Sequence, residues 1–293
     1  MSISEKQDQA GVKLAWKAHS ARLGPSMTVQ RVLPGSQIEA VGPFVFFDHV
    51  GPMPTPRQNL AAHPHAGIEV ITYLMEGCNE HRDSLGHRGT ALSGGAQWLT
   101  AGRGMLHAER IGFGDNAPAN FHAVQLWTRL PKALEDCAPS YRAVPPTAVP
   151  ETTQANAFLR LVAGTHPLFD APGPVELQTK ALLMDISLTS GTPIDVALDS
   201  AQEFGIYVLS GELSVAGGNF AAGSFIALTA ASQLTLLKTQ AEAAAQCLLL
   251  GGAPAERPLV YAGSFVFSSQ HKADAATRAF YAGDMGCMDG VPF

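Results

Sequence analysis

The sequence predicts an all-β protein of two tandem β-barrels closed by one short C-terminal helix. Three observations carry this. Short runs rich in β-branched and aromatic residues recur along the 293 residues, among them PFVFFDHV, IEVITYLM, HAVQLWTRL, ALLMDISL and FGIYVLSG, with turn signals from 29 glycines and 20 prolines between them. Many short strands so spaced indicate a sandwich or barrel. The second half of the chain echoes the first, and a proline-rich stretch of little periodicity, from about Pro131 to Asn156, reads as the linker between them. On a prior of about 150 residues per domain the length suits two, and the boundary is set to give domains 1–140 and 141–293.

The opening residues MSISEKQDQAGVKLAWKAHS lack the apolar core of a signal peptide, and no run approaches the roughly 20 apolar residues of a membrane span. A soluble, cytoplasmic protein with no membrane partner is expected. Cys78, Cys137, Cys247 and Cys287 stand far apart without a C-x-x-C pair, which suits reduced thiols. Net charge is −6 with 15% charged residues and no Lys/Arg cluster, so direct nucleic-acid binding is not expected.

The repeat is visible strand by strand. Laying HPHAGIEVITYLMEG (His63 to Gly77) over ALDSAQEFGIYVLSG (Ala197 to Gly211) sets Glu69 on Glu203, Tyr73 on Tyr207 and Gly77 on Gly211. Further on, GTALSGGAQWLTA lies over GNFAAGSFIALTA, and that register carries Leu236 under His107 and Lys238 under Glu109. At the end of the chain, Ser269 caps a helix whose Ala273, Ala276 and Phe280 share a face and which Gly283 ends.

Strand residues i and i+2 point to one face, about 6.6–7 Å apart. His63 and His65 therefore aim together, as do His107 and Glu109 in GMLHAE, and two such strands in one barrel can enclose an ion with three imidazole nitrogens and one carboxylate oxygen. Mixed N/O ligation with open positions suits Fe(II), and also Zn, Mn, Co, Ni or Cu. The second half has Ala197, Asp199, Leu236 and Lys238 at the matching places, so the same scaffold does without the four ligands.

These residues carry a resemblance. With VGPFVFFDHVGP, HPHAGIEVITYLMEG, EHRDSLGHRG, QWLTAGRGMLHAE, QLWTRLP and the terminal GSFVFSS in order, the chain resembles pirins, members of the cupin superfamily with two jelly-roll-like barrels in one chain. The resemblance implies that His63, His65, His107 and Glu109 hold iron in the first barrel, and that the second barrel is metal-free. It also implies that Glu69, whose counterpart Glu203 persists in the metal-free copy, has a structural role. Two activities come with it. One is a quercetin 2,3-dioxygenase that opens a flavonol ring with O2 and releases carbon monoxide, Glu109 serving as ligand and catalytic base. The other is an iron-dependent redox sensor that binds a transcription factor or metabolic enzyme as its protein partner. The enzyme is the favoured reading, with Trp98, Leu106, Gln125 and Trp127 as candidate walls of the substrate pocket and a monomer as the expected state.

His81, Arg82 and Asp83 in EHRDS suit either the lining of the pocket entrance or a charged turn between strands, the turn being favoured, and His49 and His87 suit ordinary strand-end and turn positions. His122 and Gln125 fall on opposite faces of their strand, so only one of them can face a metal.

Overall fold

A computed structural model describes residues 8–23, 27–114, 117–239 and 244–288. Among these, 24 strands, two single 3₁₀ turns and one α-helix alternate as the sequence anticipates. The chain forms two compact units. One comprises residues 19–149, 177–179 and 255–293, and the other residues 1–18, 150–176 and 180–254. This differs from a single cut at residue 140 in three ways. Ser140–Val144 still pairs with Ala96–Thr100 of the first barrel, the N-terminal strand Val12–Lys17 pairs with Ser224–Leu228 of the second, and the C-terminal segment belongs with the first. Edge strands take whichever partner supplies open hydrogen-bonding groups, however remote in sequence.

Each unit has the same antiparallel plan, a seven-stranded sheet and a four-stranded sheet. In the first, the larger sheet runs in the order Ser140–Val144, Ala96–Thr100, Ile68–Glu76, Asn120–Arg129, Phe44–Pro54, Met27–Leu33, His19–Leu23. The smaller runs Gln58–His65, Met105–Ile111, Cys78–Asp83, Arg88–Leu92. Val70, Leu99 and Trp127 from the large sheet pack on Met105 from the small one, and a second cluster joins Leu74, Val50 and Phe121 to Ile111 and Ala91.

The second unit repeats the register with one slip. Ile194 pairs with Leu236 as His63 pairs with His107, and Val196 pairs with Leu234 as His65 pairs with Met105. The counterparts of the two histidines are therefore Ile194 and Val196, not Ala197 and Asp199. The turn after Ala197 spans residues 198–202, whereas only Ala66 and Gly67 separate His65 from Ile68, so an ungapped overlay loses register there. Leu236 is wholly buried as expected, and Lys238 is buried with Nζ donating to the Thr189 carbonyl. Ile194, Val196, Leu213, Val215, Leu234 and Leu236 fill this barrel with one apolar cluster.

The predicted helix spans Gln270–Ala282. Ser269 Oγ accepts from the Lys272 N–H, Gly283 closes the helix at φ +81°, and Ala273 and Ala276 are its buried face. These alanines pack with Phe265, Phe267, Met285 and Ala66 over the first barrel. No helix among the described residues is long and apolar enough to cross a membrane.

Candidate metal centre

Three histidines meet inside the first barrel because two adjacent strands present them on one face. His63 and His107 are direct cross-strand partners, and His65 stands two residues along, opposite Met105. A bulge follows: His107 to Glu109 is two residues on one strand, while the matching step from His63 to Leu60 is three on the other. The extra residue bends the Gln58–His65 strand beside the histidines, a usual device for re-aiming side chains at a site. Ring centroids lie 4.3 Å apart for His63 and His107, 4.9 Å for His65 and His107, and 5.0 Å for His63 and His65. One nitrogen from each falls within 4.8 Å of the others.

The hydrogen bonds fix which nitrogen that is. His63 Nδ1 donates to the Ala61 carbonyl at 2.9 Å and His65 Nδ1 to the Ser264 carbonyl at 3.3 Å. A neutral imidazole carries one N–H, so Nε2 of each ring is left with a bare lone pair. The Nε2 atoms of His65 and His107 are buried and have no hydrogen-bond partner. Burial, and then the neighbouring His63, push His65 down to about 3, and burial with the surrounding imidazoles holds His107 well below its ordinary value. Unprotonated imidazoles with orphaned, converging nitrogens fit a transition-metal ion, and a carbonyl on the far nitrogen is the usual way a ligand histidine is oriented.

Glu109 stands on the same face as His107 and is 1% exposed, but it is not among the three residues whose ligand atoms cluster. Its Oε1 instead accepts from Asn79 Nδ2 at 2.7 Å and from Gln97 Nε2. A cavity of about 30 Å³ lies against it, lined also by Thr72, Asn79, Phe121 and Gln125. Thr72 Oγ1 and Asn79 Oδ1 have no partner there, and the space is sufficient for water.

The candidate pocket residues divide. Trp127 stands edge-on to His65 at 5.1 Å and stacks on Phe46 at 4.0 Å, and Gln125 lines the cavity with Glu109. Trp98 and Leu106 face away, which corrects the sequence reading. Strand alternation gives the inner face to Gln97, so Trp98 turns outward and its Nε1 donates to Glu69 at 3.1 Å. Leu106 alternates with His107 in the same way and packs on the cluster of Phe265, Phe267 and Ala273. Glu69 is fully buried and accepts from Trp98, Thr100, Thr128 and the Gln178 backbone, tying three strands to the 177–179 segment. Glu203 holds the equivalent ladder position but is exposed, so the brace belongs to the first barrel alone.

EHRDS is not a turn as far as Asp83. Cys78–Asp83 is a strand, and His81 and Asp83, spaced i and i+2, point inward beside His107. His81 Nδ1 lies 3.4 Å from His107 Nδ1, and Tyr141 stacks on the His81 ring at 3.8 Å. Asp83 Oδ2 accepts from His81 Nε2 at 3.2 Å and from His87 Nδ1 at 2.8 Å. Burial opposes its ionisation, but these bonds and the N–H groups of Leu85 and His87 hold Asp83 below its usual range. The H-x-D spacing carries the same signal as H-x-H and H-x-E and could have been read alike. His49 is likewise buried, its Nε2 2.8 Å from His122 Nε2.

Residues 26–128 match the Pirin family and residues 183–286 match the Pirin C-terminal cupin domain. A Pseudomonas aeruginosa protein named "Putative quercetin 2,3-dioxygenase PA1205" is 32% identical over 94% of this chain and 86% of its own. The chain belongs to the pirin family. Another pirin relative, Pirin-like protein 2 of Arabidopsis thaliana, is 27% identical over 98% of this chain and 89% of its own. Among solved structures, a quercetin 2,3-dioxygenase from Acinetobacter baumannii superposes with a TM-score of 0.86 at 25% identity, covering 96% of this chain and 92% of that one. The Escherichia coli pirin YhhW, solved in complex with nickel(II), shares the fold at TM-score 0.62 and 17% identity, covering 83% of this chain and all of that one (100%). The two barrels described above are thus the two cupin domains of a pirin.

Proposed function

We propose that this pirin is a metal-dependent dioxygenase of the quercetin 2,3-dioxygenase type, acting with O2 on a flavonol or a related aromatic enol. The observation that carries the reading is the pair of orphaned Nε2 atoms on His65 and His107 beside His63, in a barrel whose repeat fills the three matching positions with Ile194, Val196 and Leu236. A barrel of this plan packs without imidazoles, so the three histidines are retained for what they bind. The relatives named for quercetin 2,3-dioxygenase support the substrate class.

His63, His65 and His107 would hold the ion, Fe(II) being the first expectation and Zn, Mn, Co, Ni or Cu the alternatives. Bound there, it supplies Lewis-acid activation of a substrate hydroxyl. Glu109, one strand step from His107, is the fourth candidate ligand and the base that accepts the proton of that hydroxyl, a transfer that needs an approach of about 3 Å. Asn79 and Gln97 present amide N–H groups to its carboxylate, fixing one oxygen and leaving the other to work. Trp127, edge-on to His65 with Phe46 stacked against it, gives the histidines an apolar neighbour. Oxidative opening of the flavonol consumes one O2, inserts both oxygen atoms into the ring-opened ester and expels one ring carbon with its oxygen as carbon monoxide.

The test is anaerobic loading with Fe(II), addition of quercetin, admission of O2 and measurement of carbon monoxide, with His107→Ala as the blank. Several metal-dependent turnovers are expected. Absence of carbon monoxide from protein with stoichiometric bound iron would overturn the enzyme reading and leave the centre as a redox sensor for a protein partner.

A further inference from the structure

His81 and Asp83 are used by nothing in the reaction above, yet they are as buried as the ligands, and their side chains are wholly shielded from solvent. The second barrel supplies the comparison. Val215 pairs with Leu236 as Asp83 pairs with His107, and Leu213 pairs with Lys238 as His81 pairs with Glu109. Leu213 and Val215 are core residues there. The fold therefore has no structural need for an imidazole and a carboxylate at these positions, and polarity at 81 and 83 accompanies polarity at 63, 65 and 107.

Their arrangement is directional. Asp83 sits at the end of its strand, where Oδ1 accepts the backbone N–H groups of Leu85 at 2.9 Å and His87 at 3.0 Å, and Gly86 turns the chain at φ +88°. This pins the carboxylate so that Oδ2 meets His81 Nε2. The ring of His81 is held flat against Tyr141, 2° from parallel, and Tyr141 reaches it because Gly89, the cross-strand partner of His81, has no side chain: a Cβ there would come within 2.5 Å of the tyrosine oxygen. A carboxylate only accepts, so it selects the His81 tautomer protonated at Nε2. His81 Nδ1 is then a bare acceptor 3.4 Å from His107 Nδ1, which must carry the proton in turn. The lone pair of His107 is thereby placed on Nε2, the atom that faces the other two histidines.

We infer that His81 and Asp83 are positioning residues that fix the tautomer and ring direction of His107, so that the centre is preset to receive a metal ion. His107 otherwise lacks the backbone carbonyl that serves His63 and His65, and His81 fills that place. The inference rests on the metal-centre reading, but one of its two tests needs no metal.

In metal-free protein, long-range ¹H–¹⁵N spectra of the histidine rings report tautomers directly. The wild type is expected to show His107 protonated at Nδ1 and His81 at Nε2. Asp83→Asn is expected to mix both rings between tautomers, and His107 already protonated at Nε2 in the wild type would overturn the inference. Metal affinity is then read with Co(II) against a competing chelator. Asp83→Asn and His81→Leu should each weaken Co(II) binding by about 10–100-fold, as loss of an outer hydrogen-bond partner typically does. His81→Gln, whose amide oxygen can accept from His107 Nδ1, should recover most of the loss. Co(II) affinity within twofold of wild type in both Asp83→Asn and His81→Leu would also overturn it. Equal weakening by Leu and Gln at position 81 would do so too, since that is what packing alone predicts. Failure of the wild type itself to bind Co(II), with the tautomers as expected, would sink the metal reading instead.

Discussion

His107→Leu should destabilise the protein only when metal is present. The change installs the residue that the second barrel carries at Leu236, the cross-strand equivalent, so the site accepts its shape. In chelator, wild type buries an Nε2 with no partner. Leaving such a group unpaired costs about 1–3 kcal/mol, and the variant escapes it. It also leaves His81 Nδ1, a wholly buried acceptor, without its partner, which costs about 1–3 kcal/mol in turn. The two terms offset, so without metal the variant matches wild type to within about 1 kcal/mol. With free metal at 100 times the dissociation constant, wild type gains about 2.7 kcal/mol by mass action and a site without its central ligand gains almost none. Wild type then leads by about 2.7 kcal/mol. Urea unfolding at pH 7.5, with EDTA and with Ni(II), measures both differences. A variant less stable than wild type in EDTA by 2 kcal/mol would refute the claim that the imidazole is carried for the metal, as would an undiminished Ni(II) shift in His107→Leu.

Three further outcomes are expected. Metal-free protein should lose stability as pH falls below about 6.5. His49 and His65 titrate near 3 when folded because they are buried, so the unfolded chain binds more protons in that window, at up to about 1.4 kcal/mol per pH unit for each such group. Glu69, raised from 4.5 to about 7 by burial, acts oppositely and removes stability as pH rises between those values. A urea midpoint that stays level from pH 6.5 to 4.5 in Glu69→Gln, which isolates the histidines, would contradict the assignment. Trp98→Phe should cost about 1 kcal/mol through the lost bond to Glu69, with metal affinity and kcat within twofold of wild type. A tenfold fall in kcat would return Trp98 to the pocket. Gly67→Ala should cost about 2 kcal/mol or more, since Gly67 has φ +74° and a Cβ would stand 2.2 Å from the Val266 carbonyl. Because Gly67 lies two residues after His65 and against Val266, close in sequence to the Ser264 carbonyl that holds the His65 ring, Co(II) affinity should fall as well, and unchanged affinity in folded protein would separate that segment from the centre.

Sequence and structure part company where strand alternation meets irregular backbone. The strands, the helix with its Ser269 and Gly283 caps, and the inward pairing of His63, His65 and His107 all follow from local periodicity, and all were legible. Trp98 and Leu106 were misplaced for want of applying the same alternation, each being the neighbour of an inward residue, Gln97 or His107. His81 and Asp83 were read as a turn because Asp83 with the Ser84 and Gly86 that follow it suggested that the turn began earlier than it does. The division at residue 140 puts the N-terminal strand with the first barrel and the terminal helix with the second, and each belongs to the other unit, since pairing depends on hydrogen-bonding groups left open elsewhere in the chain.

The internal repeat does more than duplicate a scaffold. Five interior positions of the first barrel are His63, His65, His81, Asp83 and His107, and their register partners in the second are Ile194, Val196, Leu213, Val215 and Leu236. Burying polar groups costs free energy unless each finds a partner, and aliphatic side chains at these positions pack a barrel of this plan without that cost. Since one chain contains both solutions, the polar set is not a requirement of the fold. Three of its members converge on a common point with lone pairs unused, and the other two orient one of those three. A constellation so arranged is understood as a ligand set with its support. It also follows that the substitution set expected to erase the centre without harming the barrel is already written in the second half of the chain, at Ile194, Val196, Leu213, Val215 and Leu236.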